Sequence, residues 1–192
     1  YITASSGSIM EFYRQMKDAL DIYLSSNSKA LMVKAIKKEI VNLVLEKKQK
    51  VVLVVDEASL MRLEVFGELH TLCQFEQDAK PWLPIILVGQ TSLVDKLTFR
   101  SSEPLASRVV ARCHLEGVDL SGMEVYLKHH LAIAGVDRNL FDPPAITAIH
   151  QGSGGRFRKA NHLARGGLIA AATEKSSVVC AEHIRLAATE IF

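Results

Sequence analysis

The chain has 192 residues, 48% of them hydrophobic and 23% charged, with a net charge of +2. This is ordinary soluble globular composition, with length for one large domain or for a core with a smaller appendage, and so mild a positive balance does not by itself point to nucleic acid or a membrane surface. No apolar run approaches the ~20 residues of a membrane span, and the scattered cysteines Cys73, Cys113 and Cys180 form no C-x-x-C pair, which suits reduced thiols in a cytosolic protein.

Tyr1-Ile2-Thr3-Ala4 reads as the end of a strand, without methionine or leader, so the sequence is expected to be a piece of a longer protein. Ser8 with Glu11 three residues on is a capping box. It opens a helix whose apolar residues Ile9, Phe12, Met16, Leu20 and Tyr23 recur at helical spacing. After a polar break at 25–28, a second helix carries Leu31, Val33, Ile36, Ile40 and Leu43 or Val44. Lys47, Lys48 and Lys50 close it, where cations suit the negative end of the helix dipole.

Val51–Val55 is an uninterrupted β-branched and aliphatic run, as in a parallel strand buried on both faces. A third helix follows with Val65, Phe66, Leu69, Leu72 and Cys73 inward, then a second buried run at Pro84–Val88 and a short helix at Ser92–Leu97. A further strand is expected over Val109–Leu115. Strands alternating with helices predict an α/β core with a parallel sheet over 1–117.

From 118 to 192 only helices are expected. Ser121 and Glu124 form a second capping box, with Gly135 closing that helix. Asp142-Pro143 is an N-cap followed by proline at the first helical position. A third helix starts near Gly155, and a fourth covers 181–191.

Four features carry chemistry. Asp56 and Glu57 directly follow the Val51–Val55 run, and ligands of open parallel sheets bind beyond the carboxyl ends of the strands. In nucleotide hydrolysis one such carboxylate holds Mg²⁺, usually through water, and the next polarises the attacking water. Gln90, after Gly89 at the end of the next run, offers a donor and an acceptor to orient that water or touch a γ-phosphate. Arg108 follows a polar loop and can project into a neighbouring subunit's site. Arg158 lies in the first turn of the helix opened by Gly152-Ser153-Gly154-Gly155, where glycines admit close backbone approach and a helix N-terminus favours anions. Each feature alone has a plainer reading: an acidic turn, a strand-ending turn, a surface salt bridge with Arg100 and Arg112 as competitors, and a solvated basic face of Arg158, His162 and Arg165. The pairs His70/Cys73 and His129/His130 lack the further ligands of a metal site.

The order DEA, VGQ, ASR, GGRFR resembles the AAA+ superfamily, and within it the ExeA (general secretion pathway protein A) type and the transposition-associated TniB- and IstB-like ATPases. VVLVVDEASLM, LHTLCQFEQD, IILVGQTSLVDKL, LASRVVARCHLE and GSGGRFRKANHLA carry the resemblance over nearly the whole chain. It implies a P-loop NTPase-type core over 1–117 and a helical lid over 118–192. Asp56 and Glu57 would be Walker B with the catalytic base, Gln90 sensor 1, Arg108 the arginine finger and Arg158 sensor 2. The cofactors would be ATP and Mg²⁺, with Asp56 on the metal. One departure matters: no G-x-x-x-x-G-K-[ST] occurs. In the family that loop and its central strand precede the strand that opens this chain, so truncation upstream of Tyr1 is expected. Without the loop's N–H groups and lysine, the chain alone should bind ATP weakly or not at all and be inactive.

The function expected of the longer protein is ATP-driven assembly as a homo-oligomer, in the cytoplasm or at the inner membrane face. With neither a membrane helix nor an envelope-binding segment, the chain leans toward DNA transposition, with DNA and a transposase as partners. The alternative within the class is assembly of a secretion machine. A third reading, from another class, is a non-catalytic oligomerisation module whose acids and arginines only form inter-subunit salt bridges.

Overall fold

Three short strands, β1 (Ile2–Thr3), β2 (Leu53–Asp56) and β3 (Ile85–Leu87), form a parallel sheet in the order β1-β2-β3. The computed structural model that shows them describes residues 1–4 and 7–190. The ladder aligns Ile2 with Val55, Thr3 with Asp56, and Leu53 to Val55 with Ile85 to Leu87. It continues past the strand ends: Ala4 N–H donates to Asp56 O (2.7 Å), Val88 N–H to Val55 O (2.9 Å) and Ala58 N–H to Val88 O (2.8 Å). The fold is α/β, as the alternation of strands and helices predicts.

The first of two compact units spans 1–112. It contains α1 (Ile9–Ala19), α2 (Lys29–Leu45), α3 (Leu63–Leu72), α4 (Ser92–Thr98) and the short α5 (Glu103–Ala106). Their inward residues close one core in which Tyr13, Ile36, Ile40, Val55, Phe66, Leu69 and Leu72 are fully buried. Each such aliphatic or Phe side chain contributes ~1.5–3 kcal/mol by leaving water. Tyr13 donates its hydroxyl to Glu68 (2.6 Å), which also accepts from Lys29 (2.5 Å), so one carboxylate joins α1, α2 and α3. Burial, then the Glu68 carboxylate, pushes the Tyr13 phenol well above its usual range.

Several expectations need correction. Ser8 stands at the N-cap of α1, but its side chain makes no capping bond, and its carbonyl accepts from Glu11 and Phe12 instead. Tyr23 is fully exposed beyond the helix end, and α2 turns Met32 rather than Leu31 inward. β3 is not buried on both faces: Ile86 and Val88 are about half exposed, at 51% and 43%. No strand forms over 109–115, where Val110 and Leu115 stand at 99% and 86% exposure and no described residue offers a ladder. A β-branched run becomes a strand only where a partner satisfies its backbone and a face is covered.

The second unit spans 113–192 and holds α6 (Leu120–Ile133), α7 (Pro143–Ser153), α8 (Phe157–Thr173) and α9 (Ala181–Glu190). Met123, Ile149, Ala160 and Leu163 lie at its apolar centre. The α6 cap is Asp119, two residues before the expected serine. Its carboxylate accepts from Gly122 N–H (2.8 Å), which holds that carboxyl below the usual range. Asp142 caps α7 as expected, accepting from Ala145 N–H at 2.7 Å. The fourth helix begins where predicted, and the expected last residue, Ile191, lies outside the described residues. No helix among the described residues is long and apolar enough to cross a membrane.

Candidate functional site

Parallel register puts the carboxyl ends of β2 and β3 on one edge of the sheet. Asp56 is the last residue of β2. Its Oδ2 accepts from the Tyr1 hydroxyl (2.5 Å) and its Oδ1 from Glu57 N–H (2.8 Å). Those two donors, Tyr1 first, hold the Asp56 carboxyl below its usual range. It therefore stays an oxygen-donor anion at neutral pH, the kind of ligand Mg²⁺ takes.

Glu57 adopts φ 51° and ψ 32°, the left-handed region that non-glycine residues avoid. It is the turn residue between β2 and the 3₁₀ turn Ala58–Leu60. The cost, of order 1–2 kcal/mol, is offset around it. Ala58 and Ser59 are buried, and the Ala58–Val88 backbone bond locks the turn to the end of β3. Strain of this kind gathers at functional sites.

Gly89 is required by the same packing. A Cβ there would come within 2.9 Å of the Ser59 backbone nitrogen and 3.3 Å of Ser59 Oγ. The bare glycine lets the chain after β3 lie on the Ala58–Ser59 turn, and Gln90 N–H donates to Ser59 Oγ at 3.4 Å. Lys96 of α4 adds a bond to Met61 O (2.7 Å). Asp56, Glu57 and Gln90 thus sit on adjoining turns at one sheet edge. The helper Ser59 was missed in the sequence, although it falls inside the DEAS run.

Arg108 stands elsewhere. Its guanidinium forms a fork on Asp78, with NH1 donating to Oδ1 at 2.8 Å and NH2 donating to Oδ2, while Nε donates to His70 Nδ1 at 3.1 Å. The arginine in turn holds the Asp78 carboxyl below its usual range. His70 lies in the last turn of α3, the helix that carries the chain from the carboxyl end of β2 back to the amino end of β3. Arg108 is therefore held toward the amino edge of the sheet, away from its own chain's Asp56. On the other side of the ring, Gln74 Nε2 lies 3.2 Å from His70 Nε2. Glu76, Gln77 and Asp78 all have positive φ (45°, 56° and 73°) in the loop bridged by Phe75 and Lys80. Of the two holders of Arg108, Asp78 was not singled out from sequence and His70 was weighed only as half of a metal pair, although both lie in the LHTLCQFEQD stretch.

Arg158 is exposed in the first turn of α8, and no described residue bonds to it. The glycines before it have packing roles. Gly154 (φ 59°) ends α7 in the left-handed conformation. Gly155 (φ 72°) lies under the 117–118 backbone, where a Cβ would meet Val118 O at 2.3 Å, and its carbonyl accepts from Val118 N–H (3.0 Å). Among the described residues no three His, Cys, Asp or Glu side chains group to hold a metal by themselves. Mg²⁺ in phosphate sites needs only one or two carboxylates beside the phosphates, and Asp56 is a carboxylate that could serve as one.

An AAA domain matches residues 1–97, half of the chain. The chain belongs to the AAA domain family. General secretion pathway protein A of Aeromonas hydrophila is 34% identical over 140 residues, which cover 73% of this chain and 26% of that protein. The chain thus spans about a quarter of this relative's length. Among solved structures, Cdc6p of Pyrobaculum aerophilum superimposes with a TM-score of 0.66 at 14% identity, over 96% of this chain and 50% of that one. The Aeropyrum pernix ORC2 protein, in ADPNP–ADP complexes, gives 0.64 at 12% identity over 98% and 52%. The Thermotoga maritima RuvB Holliday junction branch migration motor gives 0.53 at 18% identity over 99% and 60%. At such identities these likenesses establish the AAA fold alone.

Proposed function

We propose that this chain supplies the water-activating part of an ATP-hydrolysing site in a longer, self-assembling protein. The observation that carries the reading is the shared sheet edge of Asp56, Glu57 and Gln90, held by the Ala58–Val88 and Gln90–Ser59 bonds. In this reading Asp56 holds Mg²⁺, which would neutralise phosphate charge when bound. Glu57 takes the proton of the attacking water. Gln90 orients that water through its amide. Arg108, on the other edge, serves the site of a neighbouring copy, and Arg158 is a further cation suited to nucleotide phosphate. No G-x-x-x-x-G-K-[ST] lies within the 192 residues, so the phosphate cradle comes from chain outside them, and these residues alone hold ATP weakly and turn none over.

The work done by hydrolysis is ATP-driven assembly. Similarity to general secretion pathway protein A favours assembly of a secretion machine on the cytoplasmic side of the inner membrane. A second reading, DNA transposition with a transposase partner, draws on the exposed Arg156, Arg158, His162 and Arg165 of the α8 region, cations suited to DNA phosphates. Gel shifts with ATP over a salt series separate the two, because phosphate contacts give a steep loss of DNA binding with salt. The hydrolytic reading is tested by Glu57→Gln in the longer protein. Turnover disappears while nucleotide binding remains; unchanged turnover refutes the assignment of the base.

A further inference from the structure

Outside the nucleotide chemistry, the second unit carries an aromatic stack at its surface. Phe157, the first residue of α8, lies on Tyr126 of α6 with ring centroids 4.2 Å apart and planes inclined at 26°. Tyr126 meets His130 edge-on at 4.5 Å and donates its hydroxyl to Asn161 Oδ1 at 3.0 Å. Both helices therefore hold the stack through neighbours one turn apart, Tyr126 and His130 on α6, Phe157 and Asn161 on α8. Tyr126 takes one face of the Phe157 ring, and the 45% of Phe157 left exposed is open to a further planar group. Beside the ring the surface is cationic. Helix α8 has no acidic residue over Phe157–Thr173. Arg158, His162 and Arg165 recur at i, i+4 and i+7 along one stripe of it, and Arg156 directly precedes Phe157. All four are exposed, and among the described residues no carboxylate pairs with them. By contrast, Arg14, Lys128 and Arg185 each pair with a glutamate of their own helix.

From this geometry we propose that Phe157, Tyr126 and the adjoining arginines form a binding surface for single-stranded nucleic acid. A base continues the Tyr126–Phe157 stack, while Arg158 and Arg165 take phosphates. Two observations select this ligand. The stripe from Arg158 to Arg165 runs ~10 Å along the helix, so its cations are spread to follow successive phosphates rather than gathered on one. And an open aromatic ring needs a base whose own face is free. In a duplex both faces of each base are stacked on neighbours, whereas an unpaired strand offers them. The inference rests on the DNA reading of the α8 cations and narrows it to unpaired strands.

The test is fluorescence anisotropy of a fluorescein-labelled oligothymidylate of about 12 nucleotides, within the ~4–16 that a small fold covers, titrated with the chain over a salt series. Phe157→Leu keeps an apolar contact on Tyr126 but loses the π-face. It should weaken binding roughly tenfold and leave the salt slope unchanged, and Phe157→Trp should restore the affinity. Arg158→Gln and Arg165→Gln should each lower the slope by ~0.7, one phosphate contact on a single strand. If Phe157→Leu unfolds, ultraviolet cross-linking of the parent chain decides: the oligonucleotide should attach to the peptide holding Phe157, and attachment only elsewhere overturns the proposal. The same sequence as a duplex separates the two readings. A single strand bound more tightly than the duplex supports the platform. A duplex bound as tightly, with Phe157→Leu silent, overturns it and leaves the cations to duplex DNA. Failure to bind either form at low salt overturns both. Displacement of the oligonucleotide by micromolar ATP, with the same dependence on Phe157, gives the ring to a free nucleotide and also overturns the proposal.

Discussion

Gly154 and Gly155 are adjacent, both left-handed, at φ 59° and 72°, and differ in what lies over them. At Gly154 an added Cβ meets nothing within 4 Å. Gly154→Ala therefore costs only the backbone preference, ~1–2 kcal/mol. At Gly155 the Cβ would stand 2.3 Å from Val118 O and 2.7 Å from Val118 N, and the Gly155 carbonyl holds the Val118 N–H. Gly155→Ala carries the same backbone cost, ~1–3 kcal/mol for forced displacement of packed atoms, and ~1 kcal/mol for a strained or lost hydrogen bond. The sum is about 3–6 kcal/mol, so the two alanines should differ by ~2–4 kcal/mol. Urea unfolding followed by far-UV circular dichroism reads that difference as a lower midpoint at Gly155→Ala with an unchanged slope. Equal destabilisation by the two substitutions would refute the packing role given to Gly155. It would also return both glycines to the reading that they only open a path to a phosphate.

Replacing Glu57 by glycine removes a left-handed non-glycine residue, so Glu57→Gly should stabilise the first unit by ~1 kcal/mol in urea unfolding while ending ATP turnover in the longer protein; Glu57→Gln, which keeps the strain, should show no such gain. Asp78→Asn takes the charge from the fork that holds Arg108, so turnover of the assembled protein should rise, because the arginine must leave Asp78 to reach a neighbour; a fall in turnover would show that Asp78 presents the arginine rather than restrains it. Mixing inactive Glu57→Gln and Arg108→Ala proteins should restore part of the ATPase rate, since some interfaces then pair an intact Glu57 with an intact Arg108. Two variants that stay inactive when mixed place both residues in one chain's site.

Most helices and the acidic strand end were legible because their signals are local. Val51–Val55 could be read as a strand from its own composition, although only Leu53 and Val55 are buried and Val52 is 45% exposed, not both faces covered as expected. Asp142-Pro143 announces a helix start through its own side chain and ring. What escaped depends on distant contacts. Val109–Leu115 has the composition of a strand, yet a strand is a relation between two segments, and no described segment pairs with it. Ser8 and Ser121 matched the capping pattern. Asp119 took the second cap because its carboxylate reaches Gly122 N–H, a choice between neighbouring polar residues that spacing alone does not make. At the candidate site, Asp56, Glu57 and Gln90 were singled out by their place after apolar runs, and the structure puts them on one edge of the sheet. The left-handed turn at Glu57, the Ser59–Gln90 bond and the Asp78 fork were hidden, since each is set by residues close in space and up to 31 positions apart.

The two edges of the sheet bear on why the proposed hydrolysis would need an assembly. Asp56 and Glu57 terminate β2 at its carboxyl end, and α3 spans the sheet before reaching His70. The eight helical residues from Leu63 to His70, at 1.5 Å each, carry the chain ~12 Å. On the roles proposed for Glu57 and Arg108, an arginine anchored beside His70, at the end of an α3 whose Val65, Phe66, Leu69 and Leu72 are buried, suits a neighbouring copy's site better than its own. In the proposed assembly, a second copy would present its amino edge to the first copy's carboxyl edge. Head-to-tail contacts of this kind close into rings or extend as filaments. On that proposal, an arginine engaged by Asp78 and His70 in the single chain would make hydrolysis answer to assembly.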